Sequence, residues 1–201
     1  MVMRRSSAWT RNCAREVIRT LGRYLSIMAI IALGVGFFCG LKVTKKAMIK
    51  TFDTYADDCN MYDLQLLSTL GFTDDDVEQL VLTDGVLDAE GSFSIDAVAQ
   101  IDGREQVLKV HSLTERINKL SLVSGRLPSS ADECVLDADA FGSDVIGKSV
   151  TVTQTDAESD TLNEETYTVV GLVTSVCYII AERGSSSLGD GRGSGVMYIP
   201  A

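Results

Sequence analysis

The sequence predicts an α+β protein, in which one N-terminal transmembrane helix continues into a stalk and is followed by a mixed α/β extracytoplasmic domain made of a βαβ unit and hairpins. Three observations carry this expectation. Tyr24 to Leu41 (YLSIMAIIALGVGFFCGL) runs for 18 residues without a charge. The charge changes sign across that run, from six arginines against the single acid Glu16 up to Arg23, to 27 acids against eight bases over residues 51–201. Beyond it, a strand pattern, a capped helix and several alternating segments follow in order. With 201 residues, a net charge of −10, 45% hydrophobic residues and two prolines, the chain is too apolar for a disordered acidic tail and too acidic for a nucleic-acid-binding domain.

Residues 1–23 are expected to form a cytoplasmic amphipathic helix at the membrane surface. Arg11, Arg15, Arg19 and Arg23 recur every four residues, and Trp9, Cys13, Val17 and Leu21 do the same two positions out of phase, which puts basic and apolar rows on opposite helix faces. Trp9 and the arginine row then bind the lipid interface, and Gly22 is the expected elbow into the span. The alternative is a plain juxtamembrane extension of the spanning helix with solvated arginines.

Residues 24–43 are the expected transmembrane helix. Eighteen helical residues rise about 27 Å, close to the roughly 30 Å of a hydrocarbon core, and Tyr24 with the flanking bases supplies interfacial anchors. A core helix seldom runs uncharged this long. A cleaved signal peptide or a lipoprotein signal fits poorly, because Phe37-Phe38-Cys39-Gly40 offers no small residue before the cysteine. Six arginines before the span against Lys42, Lys45, Lys46 and Lys50 after it place the N-terminus in the cytoplasm and the acidic domain outside. Residues 44–60 are the expected stalk helix: Met48, Phe52, Tyr55 and Cys59 keep helical spacing, with no Pro or Gly between Leu41 and Cys59.

Residues 61–201 are the expected external domain. Asp63 to Thr69 (DLQLLST) reads as a strand. Thr73 then caps a helix whose first turn holds Asp74, Asp75 and Asp76, favourable to the helix dipole, and whose buried face is Val77, Leu80 and Val81. Phe93, Ile95, Ala97, Ala99 and Ile101 alternate, and Asp102-Gly103 turns the chain into Glu105 to Val110 as a hairpin. Further strands are expected at Cys134 to Leu136, Ser149 to Thr153, Tyr167 to Val173 and Val196 to Ile199, and Asp156 to Glu165 as an acidic loop.

No catalytic constellation, metal site or cofactor site is expected, and the chain reads as a non-enzyme. Consecutive carboxylates at Asp74 to Asp76 point in different directions on a helix and suit no metal. Gly142 to Ser149 (GSDVIGKS) fits the phosphate-loop pattern, but such a loop needs a helix opening at Lys148-Ser149, and Val150-Thr151-Val152-Thr153 reads as a strand. Gly184 to Gly195, with five glycines in twelve residues, reads as a mobile external loop. The single histidine, His111, is expected in a surface or capping role. Of the five cysteines, Cys59, Cys134 and Cys177 fall outside the membrane, so at most one disulfide can form within the chain and none is required.

The order of these features resembles the start of ABC transporter permeases of the MacB and FtsX type. The resemblance rests on the Arg-rich segment, the span from Arg23-Tyr24-Leu25-Ser26-Ile27 through Ala32-Leu33-Gly34-Val35-Gly36-Phe37-Phe38, and the Lys-bearing stalk. It continues through Asp63-Leu64 before Ser68-Thr69-Leu70-Gly71, Ser124-Gly125-Arg126-Leu127-Pro128 ahead of Glu133-Cys134-Val135-Leu136, the Ile146-Gly147 turn, and Tyr167 to Val173. It implies a MacB-like periplasmic core domain, a separate ATP-binding cassette ATPase subunit, a second permease copy or homologue, and export or extraction of peptides, lipoproteins or other amphiphiles. It also implies further spanning helices, so the chain, which stops at Ala201, is expected to be the N-terminal part of a permease. The competing expectation is a single-span, membrane-anchored extracellular binding or sensing protein.

Overall fold

The computed structural model describes residues 6–153, 162, 165–180 and 182–200. Most of the acidic loop expected at Asp156 to Glu165 lies outside the described residues. The chain divides into two units, residues 1–53 and 54–201.

The first unit is helical. Helix α1 (Ser6–Arg19) carries the arginine and apolar rows, and α2 (Leu21–Asp58) opens one residue later. The break falls at Thr20 and not at the expected Gly22. The Thr20 hydroxyl donates to the Glu16 carbonyl at 2.8 Å, a back-bond that competes with the helix ladder, whereas Gly22 lies within the first turn of α2. Two aliphatic hydroxyls on α2 are also satisfied locally: Ser26, inside the apolar stretch, donates to Gly22 O at 2.8 Å, and Thr44, just beyond it, to Gly40 O at 2.9 Å. Such a bond satisfies a hydroxyl within the helix itself. Among the described residues α2 is the one helix long and apolar enough to cross a membrane, and none of its apolar window is covered by protein, as a core helix would require.

The second unit begins in the last turn of α2 and contains the short helix α3 (Asp74–Val81) and seven strands. These are β1 (Ser94–Ile101), β2 (Arg104–Ser112), β3 (Ser121–Gly125), β4 (Glu133–Asp137), β5 (Ser149–Thr153), β6 (Thr166–Thr174) and β7 (Gly195–Ile199). The hairpin β1–β2 pairs Ile101 with Arg104 across a two-residue turn, with Asp102 and Gly103 both at positive φ (55° and 76°) as a type I′ connection needs. Each expected strand from Phe93 onward is present within a residue or two.

The sheet order β3-β6-β4-β7-β2-β1-β5 returns on itself, because β5 also pairs with β6 through Ser149–Thr168, Val150–Tyr167 and Thr151–Thr166. Six strands therefore form a closed ring, and β3 takes the part of the β6 edge that β5 leaves free, Gly171 to Thr174. Two pairings, β2 with β7 and β4 with β6, are parallel. Alternation puts Ala97, Ala99, Leu108, Val110, Leu136, Val150, Tyr167 and Met197 inside the ring as the main core, where each large apolar side chain contributes about 1.5–3 kcal/mol. The opposite side of the same strands carries a second cluster, Val135, Val173, Val196 and Tyr198, covered by Leu113, Leu120, Val170 and Tyr178. β7 is buried on both faces, which explains its uninterrupted apolar run.

Two landmark motifs meet at one crossing. Gly125 of β3 pairs with Gly171 of β6, and a Cβ on Gly125 would overlap the Val170 carbonyl while one on Gly171 would overlap that of Arg126. Gly125 also sits at φ 79°. Only glycine lets the two backbones approach this closely.

Some expectations are corrected. Asp63 to Thr69 forms no strand, so the βαβ unit lacks its first strand while the α+β class stands. Both edges of β1 are taken by β2 and β5, so the segment cannot pair with the strand that follows α3. Strand β3 was not expected at all. On α3, Thr73 is the N-cap and Asp76 completes a capping box, but only Val77 and Leu80 are partly covered, and Val81 is exposed. The glycine-rich segment is a structured turn: Ser185 bridges to Arg192, and Ser194 N donates to Val107 O at 2.8 Å.

Candidate functional site at the end of the long helix

The last turn of α2 ends in a Schellman motif. Asn60, at φ 50°, takes the left-handed position that asparagine tolerates; its amide donates to Asp57 O at 3.1 Å and that of Met61 to Ala56 O at 2.9 Å. This satisfies the final carbonyls of the helix and turns the chain toward the β2–β3 loop.

Five contacts then fasten the helix end to that loop. Asn118 N donates to Asn60 O at 3.0 Å, and Lys119 N to Cys59 O at 2.8 Å. The Asn60 side-chain amide donates to Arg116 O at 2.7 Å, and Tyr62 N to Asn118 Oδ1 at 3.1 Å. The buried Cys59 thiol lies 3.6 Å from the Ser121 hydroxyl at the start of β3. Asn118, also left-handed at φ 53°, donates its backbone amide to Asn60 and accepts from Tyr62 with its side chain. Every bond here involves backbone on at least one side except the thiol contact, so the junction fixes geometry more than it fixes sequence.

A second clasp holds the same loop from the other side. One carboxylate, Glu90, accepts from three successive amides, Glu115 N (2.7 Å), Arg116 N (3.1 Å) and Ile117 N (2.8 Å). Arg116 in turn donates from Nε to Asp88 at 2.9 Å and from Nη2 to Ala89 O at 2.9 Å, and the Asp88 carboxylate holds its guanidinium above its ordinary pKa. Leu113 N donates to Ile199 O at 2.8 Å, which ties the loop to β7. Helix end, loop and ring are therefore one hydrogen-bonded chain.

The remaining polar groups hold the fold. Arg126 grips Glu133 with both Nη atoms, and with the Ser129 amide it keeps that carboxyl down at about 2. Arg183, buried, is bound to Asp137 and to the Ile180 carbonyl and reaches Asp139 at 3.2 Å. Half-buried His111 lies stacked against Tyr198 with ring centroids 5.5 Å apart, and its Nε2 is 2.7 Å from the Tyr178 hydroxyl. The histidine is thus a packed member of the outer cluster and not a surface or capping residue; desolvation, then Lys109, lowers it to about 4. Burial pushes the Cys134 thiol up to about 12, leaving it inert. The phosphate-loop pattern is occupied by a single 3-10 turn, Ser143–Val145, and β5, and Lys148 pairs with Asp102 at 2.9 Å and Asp144 at 3.6 Å.

The residues singled out in the sequence are spread along the helices. Trp9, Arg11, Arg15 and Arg19 lie exposed on α1, Arg23 and Tyr24 on the first turn of α2, and Met48 and Phe52 far along it. Tyr55 alone reaches the junction, its carbonyl accepting from Cys59 N at 3.0 Å. Asn60, Glu90, Arg116 and Asn118 were missed. An asparagine just past a helical period is a stop signal that could have found Asn60; nothing in the sequence marks Glu90 or Asn118.

Among the described residues, the class this geometry defines is one long apolar helix whose last turn is bonded to the loops of a ring-closed α+β sheet. No protein-family model and no curated protein matches it. Among solved structures it is similar to the extracellular domain of the noncanonic ABC-type transporter YknZ from Gram-positive bacteria, at 16% identity and a TM-score of 0.42, over 66% of this chain and 64% of that one. It is similar also to the periplasmic region of MacB from Actinobacillus actinomycetemcomitans, at 17% identity and a TM-score of 0.39, over 69% of this chain and 56% of that one. The chain spans less than two thirds of either.

Proposed function

We propose that the chain is the membrane-anchoring and external part of an ABC transporter permease, which conducts movement from the bilayer to an extracytoplasmic domain and performs no chemistry of its own. Its N-terminus is cytoplasmic, its partners are a separate ATP-binding cassette ATPase and a second permease copy or homologue, and the work is export or extraction of peptides, lipoproteins or other amphiphiles. The observation that supports this reading is the junction: Cys59 to Tyr62 are bonded to Arg116, Asn118, Lys119 and Ser121, so a displacement of the last turn of α2 pulls on the β2–β3 loop and through Leu113 on β7. A flexible linker would dissipate the same displacement.

The test is to purify the full chain from its native membrane, assay the eluate for ATP hydrolysis, and follow amide exchange over residues 113–120 with and without ATP. Hydrolysis should co-purify and ATP should alter exchange in that loop. Asn118→Ala, which removes the Tyr62 bond and strains a left-handed position at a cost of about 1–2 kcal/mol, should leave hydrolysis in place and abolish the change in exchange. A chain that brings down no hydrolysis is the single-span binding protein instead.

A further inference from the structure

The segment between the helix end and β1 has the pattern of a strand but joins no strand. From 61 to 92 the sequence holds eight carboxylates and no basic residue. Among the described residues no backbone bond connects 63–69 to the sheet, neither to the closed ring nor to the outer edge of β3. The apolar side chains of the segment face solvent: Leu67 is 85% exposed, Leu82 76%, Leu70 98% and Leu87 99%, with Leu64 and Leu66 also exposed. A short segment with free amides and uncovered leucines is a template for another strand.

Charge selects the occupant. Asp76 is used in the α3 cap, Asp88 is paired with Arg116, and Glu90 is held by amides. Asp63, Asp74, Asp75, Glu78 and Asp84 have no basic side chain within salt-bridge distance among the described residues. A second copy of the same segment, or an anionic lipid surface, would bring like charge against them. We infer that Tyr62 to Gly91 is a docking strip for a cationic, amphipathic polypeptide, which adds to Asp63 to Thr69 as a strand and covers the leucines with its apolar face while its lysines or arginines meet the five free carboxylates. The strip is independent of any movement of α2, so it stands or falls apart from the permease reading.

The experiment uses the full chain in nanodiscs of zwitterionic lipid, with empty discs as blank, and a fluorescent peptide alternating Leu and Lys over about nine residues. The expected result is saturable binding that weakens with salt, is at least about tenfold tighter than that of the matching Leu/Glu peptide, and protects the amides of residues 63–69 from exchange. The triple variant Leu64→Thr, Leu66→Thr, Leu67→Thr keeps the charge and the strand propensity, and should lose at least about tenfold in affinity. Equal binding by that variant would reduce the effect to bulk charge and overturn the proposal. So would protection that falls outside the strip, or self-association of the chain that the same three substitutions abolish.

Discussion

His111 is held between Tyr178 and Tyr198 where burial and Lys109 keep its ring uncharged, with a pKa lowered from 6.5 to about 4. Below 6.5 the unfolded chain takes up a proton that the folded one refuses. Stability is therefore full above pH 6.5, falls as the pH drops toward about 4, and stops falling below that, a loss on the order of 3 kcal/mol at most. His111→Gln should flatten thermal stability across that window, measured by melting at a series of pH values. The glycine crossing gives a prediction of the opposite kind, insensitive to pH. Gly125→Ala forces a Cβ into the Val170 carbonyl at positive φ and should cost at least about 2 kcal/mol in denaturant unfolding, against about 1 kcal/mol for Gly103→Ala, whose Cβ meets open space.

Among the elements, the strands that were legible in the sequence are those with one face inside the ring, because period-two burial writes itself into residues such as Ala97, Ala99 and Ile101. β3 was illegible for the same reason: Ser121 to Gly125 leaves Leu122 and Val123 exposed, and a strand held by its β6 edge alone has no burial pattern to read. Asp63 to Thr69 failed in the reverse sense, since it has the pattern without a neighbour. The glycine-rich turn was read as mobile because composition reports backbone freedom and not what pins it. Arg183 pins it, through a buried pair with Asp137 on β4. Arg183→Met should cost about 3 kcal/mol or more by leaving Asp137 buried without its partner, and Arg183→Met combined with Asp137→Leu should recover most of that loss, a cycle readable by denaturant melts. The helix-end junction was almost wholly hidden, since its bonds are made by backbone groups that every residue possesses.

At the scale of the whole molecule, the division between residues 53 and 54 separates a part dominated by apolar helix from one with its own core. Removal of residues 1–45 should give a chain that stays in solution as a folded, sedimenting monomer with strand-type circular dichroism; a fragment that still pelleted with membranes would contradict a single anchor. The ring also imposes an order in time. β2 gains its parallel neighbour only when β7 arrives, and Leu113 N finds Ile199 O at the end of that strand. Synthesised from its N-terminus, the chain completes the β1–β2 hairpin early, but the ring cannot close until the residues around Ile199 have been made. Residues 62–91, made before any strand, thus wait beside an unfinished ring throughout synthesis, and the slowest contacts to form are the long-range ones between β2 and β7.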